Sequence, residues 1–467
     1  MTAKKGKGKD KPKARASAAK APPPPVGPAP ETRLTHAGTD PAGFHGAVNP
    51  PVYHASTIAY PTYAELRALA PDGAGRPLHY GRYGTPTTRA LEDAAAELTG
   101  AAHAVSTASG LAAIAATLLA LTRAGDHVLI ADSVYFPTRN FAERALADRG
   151  VTVEYYDPVI GAGIAALLRK ETRLVFLESP GSVTFEMQDV PAIVAAARNH
   201  GSLTVIDDTW SAGWFFRPLQ IGVDVSIQAA TKYIVGHSDA MLGLVCTNDD
   251  AIHTALRKTL SLYGYATGSE EAHLGLRGLR TLGVRLERHQ HNGIALAEWL
   301  ERRSEVARVI HPALPSHPGY DLWKRDFSGA SGLFAAVLEP CSEQALAAFV
   351  DGLRYFAMGF SWGGYESLVL PMEPHGLRSV TVWDDPGRLL RFHAGVEIAR
   401  NGGPGQVTSA FIRGANSNHT LVLIDGVKIN PGTAGGAALQ NVTPELVQRI
   451  EIVKGPRSSL YGSEAIG

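Results

Sequence analysis

The stretch AATKYIVGHSD, residues 229–239, decides the fold of this chain. It places Lys232 directly after residues 224–230, an apolar and β-branched run that predicts a strand. A second apolar run, residues 203–207, predicts another strand and ends in Asp207. The pattern therefore predicts a lysine and a carboxylate at the ends of two neighbouring strands.

A lysine and a carboxylate in this arrangement suit the chemistry of pyridoxal phosphate (PLP). The lysine amine forms a Schiff base with the cofactor. The carboxylate keeps the pyridine nitrogen protonated, so that the ring withdraws electrons. Most lysines are solvated surface charges. Lys232, however, is flanked by Thr231, Tyr233, Gly236 and His237 in an order that indicates a functional site.

Composition sets the protein class. The chain has 467 residues, enough for two or three domains, and 45% of them are hydrophobic. The net charge is zero, although eight Lys or Arg and one Asp in residues 1–30 leave about −7 on the remainder. This balance predicts no nucleic-acid or membrane partner. The two cysteines, Cys246 and Cys341, exclude a disulfide framework and favour a cytoplasmic location.

The middle of the chain alternates between helical and strand patterns, which is typical of an α/β domain around a mostly parallel sheet. Helical periodicity covers residues 87–98 and 110–123. Strands are predicted at residues 127–131, 151–156, 174–178, 203–207, 224–230 and 241–246. Beyond residue 269, predicted helices (270–282, 293–303) and shorter strands (306–311, 332–338) indicate a smaller α+β domain.

Both ends of the chain differ in composition from this middle part. Residues 1–30 are rich in Lys, Ala and Pro and lack the apolar residues needed to offset the entropy cost of ordering, which predicts a disordered tail. Residues 398–467 are rich in Gly, Asn, Ser and Thr and have little helical periodicity. Short strands are predicted there at residues 420–424 and 447–453.

A phosphate group requires backbone donors and positive charge. Ser109, Gly110 and Leu111 open the helical pattern at residue 110, where free amides and the helix dipole favour an anion. Other side chains suited to the cofactor are Tyr80 and Arg82 in YGRYGTPT, Thr231 beside Lys232, and Tyr135 in DSVYFPT, which could stack on the pyridine ring.

At these residues the chain resembles the cystathionine γ-synthase-like family of PLP enzymes. The resemblance covers residues 32–397 and rests on segments such as YGRYGTPT, SGLAAIAATLLAL, FLESPGS, VIDDTW, QAATKYIVGHSD and LRFHAGVE. It implies fold type I of the PLP-dependent transferases, with a seven-stranded, mostly parallel sheet in the large domain. SWGGYES, with Trp362, is most similar to the β-lyase branch of the family.

The family's roles are carried over by this resemblance alone. Lys232 is implied as Schiff-base lysine and general base, Asp207 as partner of the ring nitrogen, and Tyr135 as the stacking ring. The remaining implied cofactor-binding residues are Ser109, Gly110, Leu111 and Thr231 for the phosphate, and Tyr80 and Arg82 for the phosphate of a neighbouring subunit. Arg391, Ser361 and Trp362 are the implied substrate-binding residues.

The resemblance also implies an activity and an assembly. The activity is α,β-elimination from L-cystathionine in methionine biosynthesis, without a metal, with γ-elimination as the near alternative. The assembly is a homotetramer of two active dimers. His237 and His393 are interpreted as structural, and Asp208 stands where the family more often has Asn.

The C-terminal segment resembles a different family. RNGGPGQVTSAFIRGANSNHTLVLIDGVKIN and VQRIEIVKGPRSSLYGSEAIG are similar to the plug domain of TonB-dependent outer-membrane receptors of the vitamin B12 type. The sequence has neither a predicted signal peptide nor transmembrane barrel strands. Our hypothesis is a chimera joined near Glu397. The alternatives are an inactive PLP-binding chimera and a receptor or binding module.

The predicted organisation has five parts: a disordered tail (1–30), an N-terminal arm (31–82), the PLP-binding large domain (83–278), a truncated small domain (279–397) and the plug-like fragment (398–467). Arg391 lies only a few residues before the junction. The strand that carries it is therefore expected to be poorly held.

Overall fold

The computed structural model describes residues 28–68 and 78–395, together with four short strands in the C-terminal segment. Most of the predicted disordered tail and the predicted strand at residues 447–453 lie outside the described residues. The described α-helices are α1 (Pro30–His36), α2 (Tyr63–Ala68), α3 (Pro86–Thr99), α4 (Gly110–Leu121), α5 (Phe136–Phe141), α6 (Val190–His200), α7 (Asp250–Tyr263), α8 (Ser269–Leu279), α9 (Leu282–Glu301), α10 (Tyr320–Asp326) and α11 (Glu343–Asp351).

Sixteen strands accompany these helices in the described part of the chain. They are β1 (His103–Thr107), β2 (His127–Ala131), β3 (Thr152–Tyr156), β4 (Thr172–Glu178), β5 (Leu203–Asp207), β6 (Val225–Gln228), β7 (Gly243–Thr247), β8 (Val306–Ile310), β9 (Leu333–Leu338), β10 (Phe356–Met358), β11 (Ser367–Met372), β12 (Arg388–His393), β13 (Ile398–Arg400), β14 (Thr408–Ala410), β15 (Leu423–Ile424) and β16 (Val427–Lys428).

The first seven strands form one sheet in the order β1-β7-β6-β5-β4-β2-β3. The pairs from β6 to β3 are parallel, and β7 runs antiparallel to both of its neighbours. The predicted mostly parallel, seven-stranded sheet of fold type I is therefore confirmed. Because the ends of β4, β5 and β2 lie at one edge, the loops that follow these strands meet there.

The pattern prediction located six of these strands and missed β1. Ser106 and Thr107 make β1 polar, although both are buried. The amide and hydroxyl of Ser106 donate to Glu92 Oε1 at 2.9 and 3.1 Å, and Arg257 of α7 donates to the same carboxylate. Buried polar groups are stable only when they are hydrogen-bonded. Here Glu92 comes from α3, the helix before β1, whereas Arg257 comes from α7, far away in the sequence.

Short-range signals in the sequence set the helix ends near the sheet. Thr85 and Thr88 form a capping box at the start of α3, and Gly100 ends this helix in the left-handed conformation with φ of 68°. Ser109 caps α4 by accepting a hydrogen bond from the Ala112 amide at 3.1 Å. α4 is mostly buried and packs against β7 and α7.

A second sheet has the order β10-β11-β12-β9-β8. β12 lies in its interior and pairs antiparallel with β11 and β9, so Arg391 faces Leu370 on one side and Ala335 on the other. The expectation that this strand is poorly held is wrong, because both of its edges carry ladder hydrogen bonds.

The packing of this second sheet extends to Gly395. The Ala394 carbonyl accepts from His289 Nδ1 at 2.7 Å, and the Gly395 carbonyl accepts from Asn292 Nδ2 at 3.0 Å. The Gly395 amide donates to Ser367 Oγ at 2.8 Å. These contacts support a boundary at Glu397, which stays a prediction. Among the described helices, none combines the length and apolar character needed to cross a bilayer.

Candidate active site

Lys232 lies in a tight turn after β6, where its amide donates to the Ala229 carbonyl at 3.0 Å. Its Nζ donates to Ser361 Oγ at 2.9 Å and lies 5.2 Å from the centre of the Trp362 ring. Gly363 packs on the lysine backbone, because a Cβ there would lie 2.8 Å from the Lys232 carbonyl carbon and the φ of Gly363 is +89°. The segment 361–363 therefore lies directly against the lysine.

The surroundings of Lys232 lower the pKa of its amine to about 8. Burial is the largest cause, the positive charge of Arg391 adds to it, and the carboxylate of Asp207 acts in the opposite direction. A lysine with this pKa can both give and take a proton near neutral pH.

Asp207 ends β5 and is buried. Its Oδ1 accepts from the amide of Thr209 at 3.0 Å and from the Thr209 hydroxyl at 2.5 Å. Burial raises the pKa of Asp207, while the Thr209 hydrogen bonds and the charge of Lys232 counteract the increase. Both hydrogen bonds go to Oδ1, so Oδ2 is the oxygen available to a cationic ring nitrogen.

Glu178 is a site residue that the sequence patterns did not single out. It ends β4 and pairs in register with Asp207. Its Oε2 accepts from the Tyr135 amide at 2.7 Å, and its Oε1 accepts from Ser182 Oγ. Burial and the neighbouring Asp207 raise the pKa of Glu178 well above its ordinary value. The available signal was a carboxylate ending the strand in FLESPGS.

Tyr135 lies at the start of α5 and is 43% exposed. Burial raises the pKa of its hydroxyl, as do the charges of Asp207 and Glu178, whereas Arg391 lowers it. Its electrostatic partners are therefore the two strand-end carboxylates and the arginine of β12. This places Tyr135 in the same cluster as Lys232 and keeps its hydroxyl protonated at neutral pH.

Arg391 reaches the cluster from the second sheet. Its Nη2 donates to the carbonyls of Gly359, Phe360 and Ser361 at 3.3, 3.0 and 3.4 Å. Burial lowers the pKa of its guanidinium, against the influence of Tyr135. Ser361 thus bridges Arg391 and Lys232, with its carbonyl bound to the arginine and its hydroxyl bound to the lysine.

The start of α4 packs close to the residues around Lys232. A Cβ at Gly110 would lie 2.5 Å from the Ala229 Cβ, and one at Gly243 would lie 2.2 Å from the Ser109 carbonyl oxygen. The Thr231 hydroxyl accepts from the Leu242 amide at 2.8 Å. The first-turn amides of Gly110 and Leu111 have no intrahelical acceptor and are free to bind an anion. Because Gly110 packs against Ala229, the predicted phosphate site lies close to Lys232.

Tyr80 and Arg82 have other neighbours within this chain. Tyr80 forms an isolated bridge with Thr57. Arg82 donates to the Ser261 carbonyl at the end of α7 at 2.8 Å, and its guanidinium lies 4.4 Å from the centre of the Tyr83 ring. Their predicted role in a neighbouring subunit's site stays a prediction.

His237 and His393 bind backbone atoms. His237 Nδ1 lies 2.6 Å from the Val235 carbonyl. His393 Nδ1 lies 3.1 Å from the Glu366 carbonyl, and its Nε2 accepts from the Gly363 amide at 3.1 Å. Burial lowers the pKa of both rings. These contacts fit structural roles for both histidines.

The residues present fit PLP. An amine with a lowered pKa, a buried carboxylate with one oxygen available, a capped helix start and an aromatic side chain belong to one cluster. The family described as Cys/Met metabolism PLP-dependent enzyme matches residues 31–400. The chain belongs to this family. It is a PLP-dependent lyase of cysteine and methionine metabolism, as the resemblance implied.

The relatives of this chain include a lyase, a racemase and a synthase. Cystathionine beta-lyase MetC of Escherichia coli is 43% identical over 79% of this chain and 94% of its own length. L-alanine/L-glutamate racemase of Wolbachia pipientis is 40% identical over 79% and 93%. The structure of cystathionine gamma synthase from Xanthomonas oryzae pv. oryzae in complex with aminoacrylate and cysteine is 32% identical, has a TM-score of 0.72, and matches 80% of this chain and 95% of its own.

The second resemblance is confirmed as well. The TonB-dependent Receptor Plug Domain family matches residues 381–467, so residues 381–400 fall within both matches. β12 lies inside this overlap and is an interior strand of the five-stranded sheet. The lyase-like fold therefore includes the first part of the overlap.

The pKa of Lys232 leads to a prediction about cofactor uptake by the chain freed of PLP. Only the neutral amine can bond to the cofactor's aldehyde carbon. With a pKa of about 8, its neutral fraction falls about tenfold for each pH unit below that value. We expect the reconstitution rate, followed by absorbance, to rise with pH and level off above about pH 9.

An ordinary lysine would give a different profile. Its reconstitution rate would keep rising to about pH 10 or beyond. Such a profile would contradict the lowered pKa and show that the amine is solvated in the free chain.

Proposed function

We propose that this chain cleaves the Cβ–S bond of L-cystathionine by α,β-elimination. One water is consumed, and homocysteine, pyruvate and ammonia are formed. The observation that carries the proposal is the Ser361 bridge, in which one residue binds the amine of Lys232 and the guanidinium of Arg391. The bridge brings a proton-transfer group next to a cation that suits an α-carboxylate.

When bound, PLP withdraws electrons from Cα and makes the Cα–H bond acidic. Lys232 then takes the Cα proton, since its lowered pKa leaves much of the amine neutral at pH 8. Arg391 orients the substrate by holding its carboxylate, which turns the Cα–H bond toward the lysine. Asp207 holds the proton of the ring nitrogen in place.

Two groups could protonate the departing sulfur. Lys232 carries the proton that it has just removed, and Tyr135 has a raised pKa that keeps its hydroxyl protonated. Both belong to the same cluster, so either can protonate the leaving thiolate. The hydrogen bond from the Tyr135 amide to Glu178 at 2.7 Å holds the segment that carries the tyrosine.

Product identity tests the proposal. The purified full-length chain loaded with PLP is incubated with L-cystathionine, and keto acids and thiols are measured. Pyruvate together with homocysteine is the expected result. 2-Oxobutyrate with cysteine would indicate γ-elimination and overturn the β-assignment. Bound cofactor without either product would favour an inactive chimera, and cobalamin binding would favour a receptor module.

Amino-acid racemisation is a second candidate. The Wolbachia relative is named for this reaction, and the site combines a base, Lys232, with a protonated acid, Tyr135. Removing a Cα proton from one face with one group and returning a proton to the opposite face with the other group inverts the centre. D-alanine formed from L-alanine under the same assay conditions would support it.

The assembly and location also belong to the proposal. A homotetramer of two active dimers is supported by Arg82, which contacts Ser261 rather than the Lys232 cluster of its own chain. A cytoplasmic location is supported by Cys246 and Cys341, both of which are free thiols.

A further inference from the structure

The connection between β11 and β12, residues 373–387, contacts the edge of the seven-stranded sheet that carries the site. We call these residues the strap. Asp132, the first residue after β2, has a fully buried side chain. Its carboxylate accepts from three consecutive strap amides: Ser379 at 2.9 Å, Val380 at 3.0 Å and Thr381 at 2.8 Å. Successive amides around one anion form a strong binding arrangement.

Side chains complete the coordination of Asp132. The hydroxyls of Ser379 and Thr381 donate to it at 3.1 and 2.9 Å. Arg139 donates to Oδ1 at 2.5 Å and also reaches Ser379 Oγ at 3.3 Å. Burial alone would raise the pKa of Asp132, but the hydrogen bonds from the strap lower it to about 2. The carboxylate is therefore charged at any working pH.

A second tether lies one residue earlier in the strap. Arg378 donates to Thr184 Oγ1 and pairs with Glu186 Oε1 at 2.8 Å. Both partners follow β4 of the large sheet. The strap is thus attached at two loops of the same sheet edge, one after β2 and one after β4.

The contact between Asp132 and the strap joins two segments that each carry a residue of the site. Tyr135 lies three residues after Asp132, and Arg391 lies on β12, which begins directly after the strap. We propose that Asp132 is a positioning residue, which fixes the strap so that the arginine and tyrosine keep the separation that the substrate requires. This inference rests on the proposed function, because it takes Arg391 to bind the substrate carboxylate.

The test compares two full-length, PLP-loaded variants. Asp132→Asn removes the charge and turns an amide donor toward strap N–H groups. Asp224→Asn is the matched control, since Asp224 also accepts from a backbone amide and a hydroxyl, those of Thr204 at 2.7 and 2.8 Å. Asp224 directly precedes β6, whereas Asp132 follows β2, so the two carboxylates lie at opposite edges of the sheet. We expect Asp132→Asn to lower kcat/KM about 10- to 100-fold, mainly through KM.

The control should lose thermal stability and keep its KM within about twofold. Hydrogen exchange supplies a readout that needs no substrate: amides 379–381 should exchange faster in Asp132→Asn than in the unchanged chain. An unchanged KM and unchanged exchange in folded Asp132→Asn would overturn the inference, as would an equal rise of KM in Asp224→Asn.

A milder variant covers the case in which Asp132→Asn does not fold. Ser379→Ala with Thr381→Val removes the two hydroxyl donors and keeps all three amides. KM should rise in the same direction by a smaller factor, and a KM equal to that of the unchanged chain would contradict the inference. If the unchanged chain does not cleave L-cystathionine, the proposed function fails and the exchange data alone decide on the strap.

Discussion

Replacing Lys232 with alanine is expected to abolish lyase activity, with kcat lowered about 10⁴-fold. Burial and the charge of Arg391 lower the pKa of the Lys232 amine to about 8. Alanine removes both the bond to the cofactor and the base that takes the Cα proton. The measurement is pyruvate release from L-cystathionine at saturating PLP.

Lys170→Ala is the matched control for this variant. Lys170 is exposed, and its replacement should leave kcat within about twofold of the original value. Residual turnover of Lys232→Ala above about one-tenth would contradict the assignment of the base. If added amines restored part of the activity of Lys232→Ala, the loss would be chemical rather than a folding defect.

Asp207→Asn is expected to lower kcat about 10²- to 10³-fold and to weaken cofactor binding. The buried carboxylate is held by Thr209 through Oδ1, which leaves Oδ2 for the proposed contact with the ring nitrogen. An amide at the same place carries no charge to hold the proton on the ring. Steady-state kinetics and PLP retention after dialysis measure the two effects.

The neighbouring Asp208 offers a control, because it is also a buried aspartate. It is buried, accepts from Ser211 Oγ at 2.5 Å and from Gln228 Nε2 at 3.0 Å, and burial raises its pKa well above the ordinary value. An amide fits the place of Asp208, because the Ser211 hydroxyl can rotate to accept a hydrogen bond from it. Asp208→Asn should change kcat less than about threefold, and an equal loss in both variants would contradict the role of Asp207.

Asp208 departs from the pattern that the resemblance implies, in which Asn stands more often at this position. A carboxyl group and an amide have nearly the same shape, and the oxygen of either can accept from Gln228 Nε2. The Ser211 hydroxyl can donate to a carboxylate or accept from an amide N–H. The buried network with Ser211 and Gln228 therefore accommodates either residue.

Local sequence patterns predicted the large sheet well because its strands are short, apolar and β-branched. The predicted bounds of β2 and β5 agree with the structure at both ends. α9 was predicted too short, at residues 293–303, although it begins at Leu282. Buried polar residues before residue 293, such as His289 and Asn292, interrupt the apolar periodicity of this helix. Their partners, Ala394 and Gly395, lie about a hundred residues away in the chain.

The sequence by itself determined the fold type and the cofactor. It also predicted that Lys232 and Asp207 lie at neighbouring strand ends, because the regular alternation of helix and strand sets which strand ends meet. Tertiary structure alone decided that Ser361 joins Lys232 to Arg391, that Glu178 holds the Tyr135 segment, and that Asp132 binds the strap. Each of these contacts joins segments far apart in the chain, so local secondary-structure propensities do not predict it. It follows from the path of the connecting loops and from the need of buried charges for hydrogen-bond donors.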